Sequence, residues 1–382
     1  MNWILFLHIY QPPNQDKEIL DQVAKESYSY IIKLLKQHPR LKITLNISGS
    51  LLEQMKNNGL LKIANDIKQL VKEKRIELVG SAMYHPILPL LPTSEIRRQI
   101  QLHNNISLET FGKIYQPQGF FLPEMAYDKK SADVIKKMGF KWIVLDSIHF
   151  PGKVINNSIK YKIKNNGLVV VFRSRKYSKN FPPRSIVNNL TKISEDNIIT
   201  AHDGELYGHW HTDKENFTGQ AFSHPQIKFN TFSQYISKLQ KTKFITPKKA
   251  SWESTEAELK NKIFYGLWNN PKNKIHQLLW DLRELAIMAV EKDKKDPQYF
   301  WARNHLDRGL SSCSWWWAAE RQPDVFSPIT WNPTEIEKGL KELINSIRSL
   351  KKINSQTKLK AEKIYVALTK AIWDKHWKKY AK

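Results

Sequence analysis

One cysteine, Cys313, stands in 382 residues, so no internal disulfide can form. The chain therefore reads as one folded in a reducing, cytoplasmic setting. Nowhere does an apolar run approach the ~20 residues that a membrane-crossing helix needs, and no membrane partner is expected. The opening, MNWILFLHIYQPP, is apolar only briefly. It has neither a basic start nor a small-residue cleavage site, and it reads as a strand rather than a signal peptide. The 14 glycines form no GxGxxG and no Walker-type loop, so these phosphate-cradling motifs are missing. Internal repeats and low-complexity segments are missing as well.

Acidic residues are scarce beside basic ones. There are 36 Asp and Glu against 61 Lys and Arg, a net charge of +25. Nucleic acid is the first partner such a charge suggests. The lysines are spread along the whole chain, however, as in KQHPRLK, KEKR and EKDKKD, and they read as solvated helix faces. The densest basic stretch is the tail from Arg348. Its apolar residues (Ile364, Val366, Ala367, Ile372, Trp373 and Trp377) predict an amphipathic helix docked on the body. No nucleic-acid motif accompanies it, so a nucleic-acid partner is not expected.

What is abundant is alternation. NWILFLHI, LKITLNIS, IELVGSA, QGFFLPE, KWIVLDS, GLVVVFRS and DNIITAHDG read as strands, and amphipathic helical stretches separate most of them. That order predicts βαβ units and a parallel sheet. An open doubly wound sheet and a closed or distorted barrel both satisfy it. From about residue 246 the character changes. STEAELKNKIFYGLW, NKIHQLLWDLRELAIMAVEKD, NPTEIEKGLKELINSIRSLKK and the tail read as helices. The expected division is residues 1–245, α/β, and 246–382, helical.

Chemistry-bearing residues gather where the strands end. His8, Tyr10 and Gln11 follow the first, His85 the third, and Glu124 the fourth. Asp146 and His149 follow the fifth, and His202, Asp203 and Glu205 the last. In α/β folds the active site lies at that face. Each residue also has a plain structural reading. His8 and His85 can be satisfied core histidines, Glu124 and Asp146 can cap the next helix, and Asp203 can form a turn before Gly204. Those readings do not account for all of them in phase, nor for the dense cluster TAHDGELYGHWH with His209 and Trp210, nor for Trp315 and Trp316 in the run WWW. Rings stack on the apolar face of a pyranose, and polar side chains bind its hydroxyl rim. A carboxylate pair beside such surfaces fits glycosidic bond chemistry, with one group protonating the leaving oxygen. Glu124 and Asp203 lie on different strands, which allows them to flank one bond.

These motifs resemble glycoside hydrolase family 57, whose members act on α-glucans as amylases, 4-α-glucanotransferases and branching enzymes. HIYQP, GSAMYHPILPLL, GFFLPEMAYD and HDGELYGHW follow the family's first four motifs in order. The resemblance implies a distorted seven-stranded (β/α) barrel followed by a C-terminal helical region that completes the cleft. It implies a retaining enzyme acting on α-1,4-glucan or a related polysaccharide, with Glu124 as nucleophile, Asp203 as acid/base, and no metal or other cofactor. His8, Tyr10, Gln11, His85, Asp146, Glu205, His209, Trp210, Trp315 and Trp316 are the candidate substrate-binding residues. Two departures stand out. Tyr10 occupies the place of the first motif's second histidine. The fifth motif survives only as SSCSWWWAAE, where the usual acidic residue is absent and Ser314 lies near its place. Two other classes remain open at this point. One is a metal-dependent polysaccharide deacetylase, since Asp and His at strand ends can also hold zinc, with the His-x-His of His209 and His211 as a further hint. The other is a non-catalytic carbohydrate or nucleic-acid binder.

Overall fold

The structure, a computed structural model, describes residues 1–188, 193, 195–323 and 329–379. The chain divides into two units. One comprises residues 1–11, 15–83 and 88–252, and the other residues 12–14, 84–87 and 253–382. The division thus falls after Trp252 rather than after residue 245. Two short loops that follow barrel strands, 12–14 and 84–87, also belong to the second unit.

The first unit is built on ten strands: β1 (Asn2–Ile9), β2 (Ile43–Ile47), β3 (Ile76–Leu78), β4 (Gly119–Phe120), β5 (Trp142–Asp146), β6 (Ile159–Ile163), β7 (Val169–Arg173), β8 (Asn197–Asp203), β9 (Lys228–Phe229) and β10 (Lys241–Ile245). Seven of them close a ring. β3, β2, β1 and β8 pair in parallel in that order, as do β4, β5 and β7. Two thin seams join these arcs. Phe121 N–H donates to Gly80 O (2.8 Å) and Gly80 N–H to Gly119 O (2.9 Å) between β3 and β4, and Ser174 N–H donates to Ile199 O (2.8 Å) between β7 and β8. The result is an all-parallel, distorted (β/α)7 barrel. Its strands are buried on both faces, which is why they read as near-continuous apolar runs. At the first seam Gly119 is required by space, because a Cβ there would lie 2.2 Å from the Trp142 ring. β6 runs antiparallel to β7, β10 pairs with β6, and β9 adds to the start of β1.

Along β1 the side chains alternate between two environments. Trp3, Leu5, Leu7 and Ile9 join an apolar cluster with the surrounding helices, including Leu20, Ile31, Leu35 and Leu52. Phe6 and His8 face the other way and meet Phe121, with ring centroids 5.4 Å and 4.5 Å away. The second face leads to the site.

The second unit is helical. Lys274–Lys292, Tyr299–Gly309, Pro333–Arg348 and Ser355–Lys379 are its longest elements. Asn332 caps the third through Glu335 N–H, with Pro333 in the first turn, where its missing N–H costs nothing. Leu340, Leu343, Ile344 and Ile347 of this helix are buried. The last helix buries Ala361, Leu368 and Ile372. Val366 and Trp377, expected on its docking face, are 61 % and 65 % exposed. The reason is phase: the buried side is set by 361, 368 and 372, and at ~100° per residue 366 and 377 fall opposite. Among the described residues no helix is long and apolar enough to cross a membrane.

Candidate active site

β1 and β8 end side by side, and their register makes His8 and Asp203 direct partners. His8 is buried, with Nδ1 2.6 Å from Asn46 Oδ1 on the neighbouring strand. Burial lowers its pKa to about 4 against the modest opposing effect of that bond, so the ring is neutral near pH 7. With Asn46 Oδ1 as acceptor, Nδ1 carries the hydrogen. Asp203 is the last residue of β8, and the chain turns at once into Gly204–Leu206. Gly204 lies so close to β1 that a Cβ would approach Ile9 Cγ2 to 2.4 Å. This tight turn ends β8 at Asp203.

Glu124 follows β4 in a turn, Pro123–Met125, rather than capping a helix. Its φ is +59°, and that of Met125 is +47°. Two consecutive non-glycine residues in the left-handed region cost of order 1–3 kcal/mol each. Their persistence requires strong local bonds. Trp252 supplies two: its Nε1–H donates to Glu124 Oε2 (2.7 Å), and its backbone N–H donates to Glu124 O (3.0 Å). The Trp252 ring meets Phe121 at 5.9 Å and His8 at 6.5 Å, both edge-on. His8, in register with Asp203 on the neighbouring strand, thus also meets the ring that bonds Glu124.

Trp252 is held in turn from β5 and β7. The Arg173 guanidinium covers its ring at 4.6 Å, and Arg175 Nη2–H donates to its carbonyl at 2.5 Å. Both arginines reach Asp146: Arg173 Nε lies 2.7 Å from Oδ2 and Arg175 Nε 3.0 Å from Oδ1. Burial pushes the Asp146 carboxyl up. The two guanidinium groups and the Ile148 N–H outweigh it and hold the group below its ordinary value.

Comparison with known proteins bears on this arrangement. The sequence model of Glycosyl hydrolase family 57 matches residues 4–248. The chain belongs to glycosyl hydrolase family 57. It is 25 % identical to the α-amylase of Pyrococcus horikoshii over 259 residues, 62 % of this chain and 40 % of that protein. It is 22 % identical to the 4-α-glucanotransferase of Thermococcus litoralis over 259 residues, 62 % of this chain and 39 % of that one. The chain thus spans about two fifths of the length of these curated relatives. The crystal structure of the Thermococcus litoralis 4-α-glucanotransferase superposes with a TM-score of 0.73 at 18 % identity, covering 93 % of this chain and 61 % of that one. A GH57-type branching enzyme from Pyrococcus horikoshii superposes with a TM-score of 0.68 at 15 % identity, covering 96 % and 94 %. These likenesses share the barrel followed by a helical region.

In this family 57 chain the remaining expected site residues divide. Trp210 is 58 % exposed on the turn after Asp203, a ring available to a ligand. Tyr10 is half-buried, and its ring stacks on His8 at 5.9 Å. Gln11 is buried, with Nε2 donating to Tyr28 Oη (3.1 Å). Glu205 is buried too: Tyr28 Oη donates to its Oε1 at 2.6 Å and Tyr10 N–H at 3.1 Å. Burial raises its pKa against those bonds. Its carboxylate is engaged inside the protein, so it holds the β1 loop rather than offering an oxygen to a ligand. His209 Nδ1 lies 2.6 Å from Glu26 Oε2.

Two more of the expected residues are engaged inside the protein. Asp146 is fully buried in its double ion pair, so it cannot bind a sugar hydroxyl; it also caps the turn after β5, as its plain reading had it. Trp315 is 1 % exposed and stacks on Trp280 at 4.3 Å, so it is core. Within the helical unit Trp316 is half-buried and edge-on to Trp317 at 4.6 Å. His85 is buried, with Nδ1 3.1 Å from Ser312 Oγ. Ser314 fills a close approach between helices. A Cβ on Gly339 would lie 1.9 Å from its Oγ, which leaves no room for a longer acidic side chain. The reading of the sequence missed Trp252, Arg173, Arg175 and Tyr28. SRKYS and ASWES carry no motif, and their roles arise only when β5, β7 and the Glu124 turn converge.

Proposed function

We propose that this chain is a retaining enzyme acting on α-1,4-glucan or a related polysaccharide, by hydrolysis or by transfer. What supports the reading is that Glu124 and Asp203 follow β4 and β8 at the same end of the barrel, with His8 in register with Asp203 and in ring contact with Trp252, which bonds Glu124. Glu124, ionised, attacks the anomeric carbon. As that bond forms, the glycosidic C–O bond breaks and Asp203 gives its proton to the departing oxygen. Asp203 then takes a proton from water or from a sugar hydroxyl, whose oxygen displaces Glu124. Two inversions return the α configuration. The two carboxyl groups must stand about 5–5.5 Å apart for this route, whereas inversion needs about 6.5–9.5 Å.

Neutral His8 gives the site a polar ring that does not charge near pH 7. Trp210 supplies an exposed face for a pyranose. The names of the relatives, α-amylase, 4-α-glucanotransferase and branching enzyme, support an α-glucan as the substrate class. Family membership leaves the deacetylase and the non-catalytic binder without support. A single cysteine, half-buried, is consistent with a cytoplasmic setting.

The test is incubation with maltooligosaccharides, amylose and glycogen, followed by chain-length and linkage profiling. Shorter products alone mean hydrolysis, longer ones mean transfer, and new α-1,6 linkages mean branching. No change in any α-glucan would overturn the proposal.

A further inference from the structure

We infer that Trp252 is a positioning residue for the nucleophile: it holds the Glu124 carboxylate in one orientation and favours its ionised form, and the Arg173–Asp146–Arg175 cluster holds Trp252 in place. This rests on the proposed role of Glu124. A carboxylate on a surface turn would rotate freely about its last torsion. Here the indole N–H donates to Oε2 at 2.7 Å, which restrains that torsion and stabilises the ionised group. The same residue's backbone N–H ties down the Glu124 carbonyl at 3.0 Å, so the strained left-handed turn and the side-chain rotamer are set by one neighbour.

An indole can do this only if it cannot itself turn. Trp252 is 6 % exposed. One ring face lies against the Arg173 guanidinium, its edges meet Phe121 and His8, and its carbonyl is bonded by Arg175. Asp146 then explains why two arginines can share so buried a place. It takes one from each side, at 2.7 and 3.0 Å, and leaves the group of three with a net single positive charge. That charge, beneath the ring that contacts the nucleophile, favours the ionised carboxylate. Asp146, expected to touch substrate, acts instead two contacts away from it.

Trp252→Phe tests this, because it keeps an aromatic ring over Arg173 and removes the N–H. The expected result is a fall in kcat of roughly ten- to a hundredfold, the range of a hydrogen bond to a charged group, with KM nearly unchanged. The acid limb of the pH–rate profile should move to higher pH. Trp252→His, which restores a ring N–H, should recover part of kcat and bring the limb back. Thermal denaturation of each variant separates folding from function, since a purely structural Trp252 would lower Tm and active fraction without moving the limb. Glu124→Ala is run beside them on the same α-glucan. If it abolishes turnover while Trp252→Phe keeps wild-type kcat and the wild-type acid limb, the positioning role is wrong and the nucleophile stands. If Glu124→Ala keeps full activity, the site itself is wrong.

Discussion

Lowering the pH from 7 to 5 should destabilise this protein far more than its exposed charges would suggest. Burial lowers the pKa of five buried histidines, His8, His103, His149, His202 and His276, and four of them carry the argument. Burial lowers the pKa of His8, His103 and His276 to about 4 and that of His202 to about 3. In the unfolded chain each titrates near 6.5. Below that value the unfolded chain takes up protons that the folded one refuses, so the stability tied to these groups is complete above pH 6.5 and declines as pH falls toward 4. The slope is about 1.4 kcal/mol per pH unit for each group. At pH 5, 1.5 units below 6.5, each contributes a loss of about 2 kcal/mol, roughly 8 kcal/mol together. That approaches the whole stability of a typical domain, about 5–15 kcal/mol. Glu205 works the other way, because burial raises its pKa and the folded chain binds that proton sooner. It is one group against these four and His149, which burial also lowers. Urea denaturation followed by tryptophan fluorescence at pH 7, 6 and 5 reads the effect. The midpoint should fall at each step and the cooperative transition should be nearly lost by pH 5. His103→Gln should flatten the pH dependence by about one proton's worth. Equal midpoints at pH 7 and 5 would refute the argument, since they would mean the four rings are reached by protons in the folded state.

Asp146→Asn should cost about 3–5 kcal/mol, because two guanidinium groups lose a buried counter-charge. The folded Asp146 carboxyl is held below its ordinary value, so its stabilisation is present above about pH 4 and is lost as pH falls through the lowered value. The difference from wild type, measured by urea midpoints, should therefore be the same at pH 7 and pH 6, and a difference that shrinks over that range would contradict the assignment. The tryptophans should split by burial. Trp315→Ala should cost about 3–5 kcal/mol in denaturation. Trp210→Ala should change stability by less than about 0.5 kcal/mol yet weaken maltooligosaccharide binding in calorimetry. Tight glucan binding by Trp210→Ala would remove that ring from the site.

The seven barrel strands were legible because a strand buried on both faces must be apolar along its length, and NWILFLHI and KWIVL are. β6 and β10 were not, because IKYKI and KTKFI alternate lysines, half-buried in the first and exposed in the second, with other residues and look like charged linkers. Helices with a strong apolar stripe, such as Pro333–Arg348, were readable. Tyr299–Gly309 was not, since YFWARNHLDRG mixes exposed rings with buried Arg303 and Asp307. In the site, residues at strand ends could be found from order alone, which is how His8, Glu124 and Asp203 stood out. Their supports could not. Trp252 lies 128 residues from the carboxylate it bonds. Asp146 looked like a sugar ligand because a lone aspartate at a strand end carries no sign of the two arginines that enclose it. Trp315 looked like a cleft wall because three adjacent tryptophans do not reveal which of them faces inward.

The central claim is that Glu124 forms a covalent bond to the sugar and Asp203 does not. Peptide mass spectrometry after reaction with a slowly turned-over 5-fluoro-α-glucosyl fluoride tests it directly. The account predicts a single glycosyl adduct on Glu124, and the same adduct in Asp203→Ala, because fluoride needs little protonation to leave. An adduct on Asp203 or any other residue, or transfer to water with inverted configuration and no adduct, would contradict it.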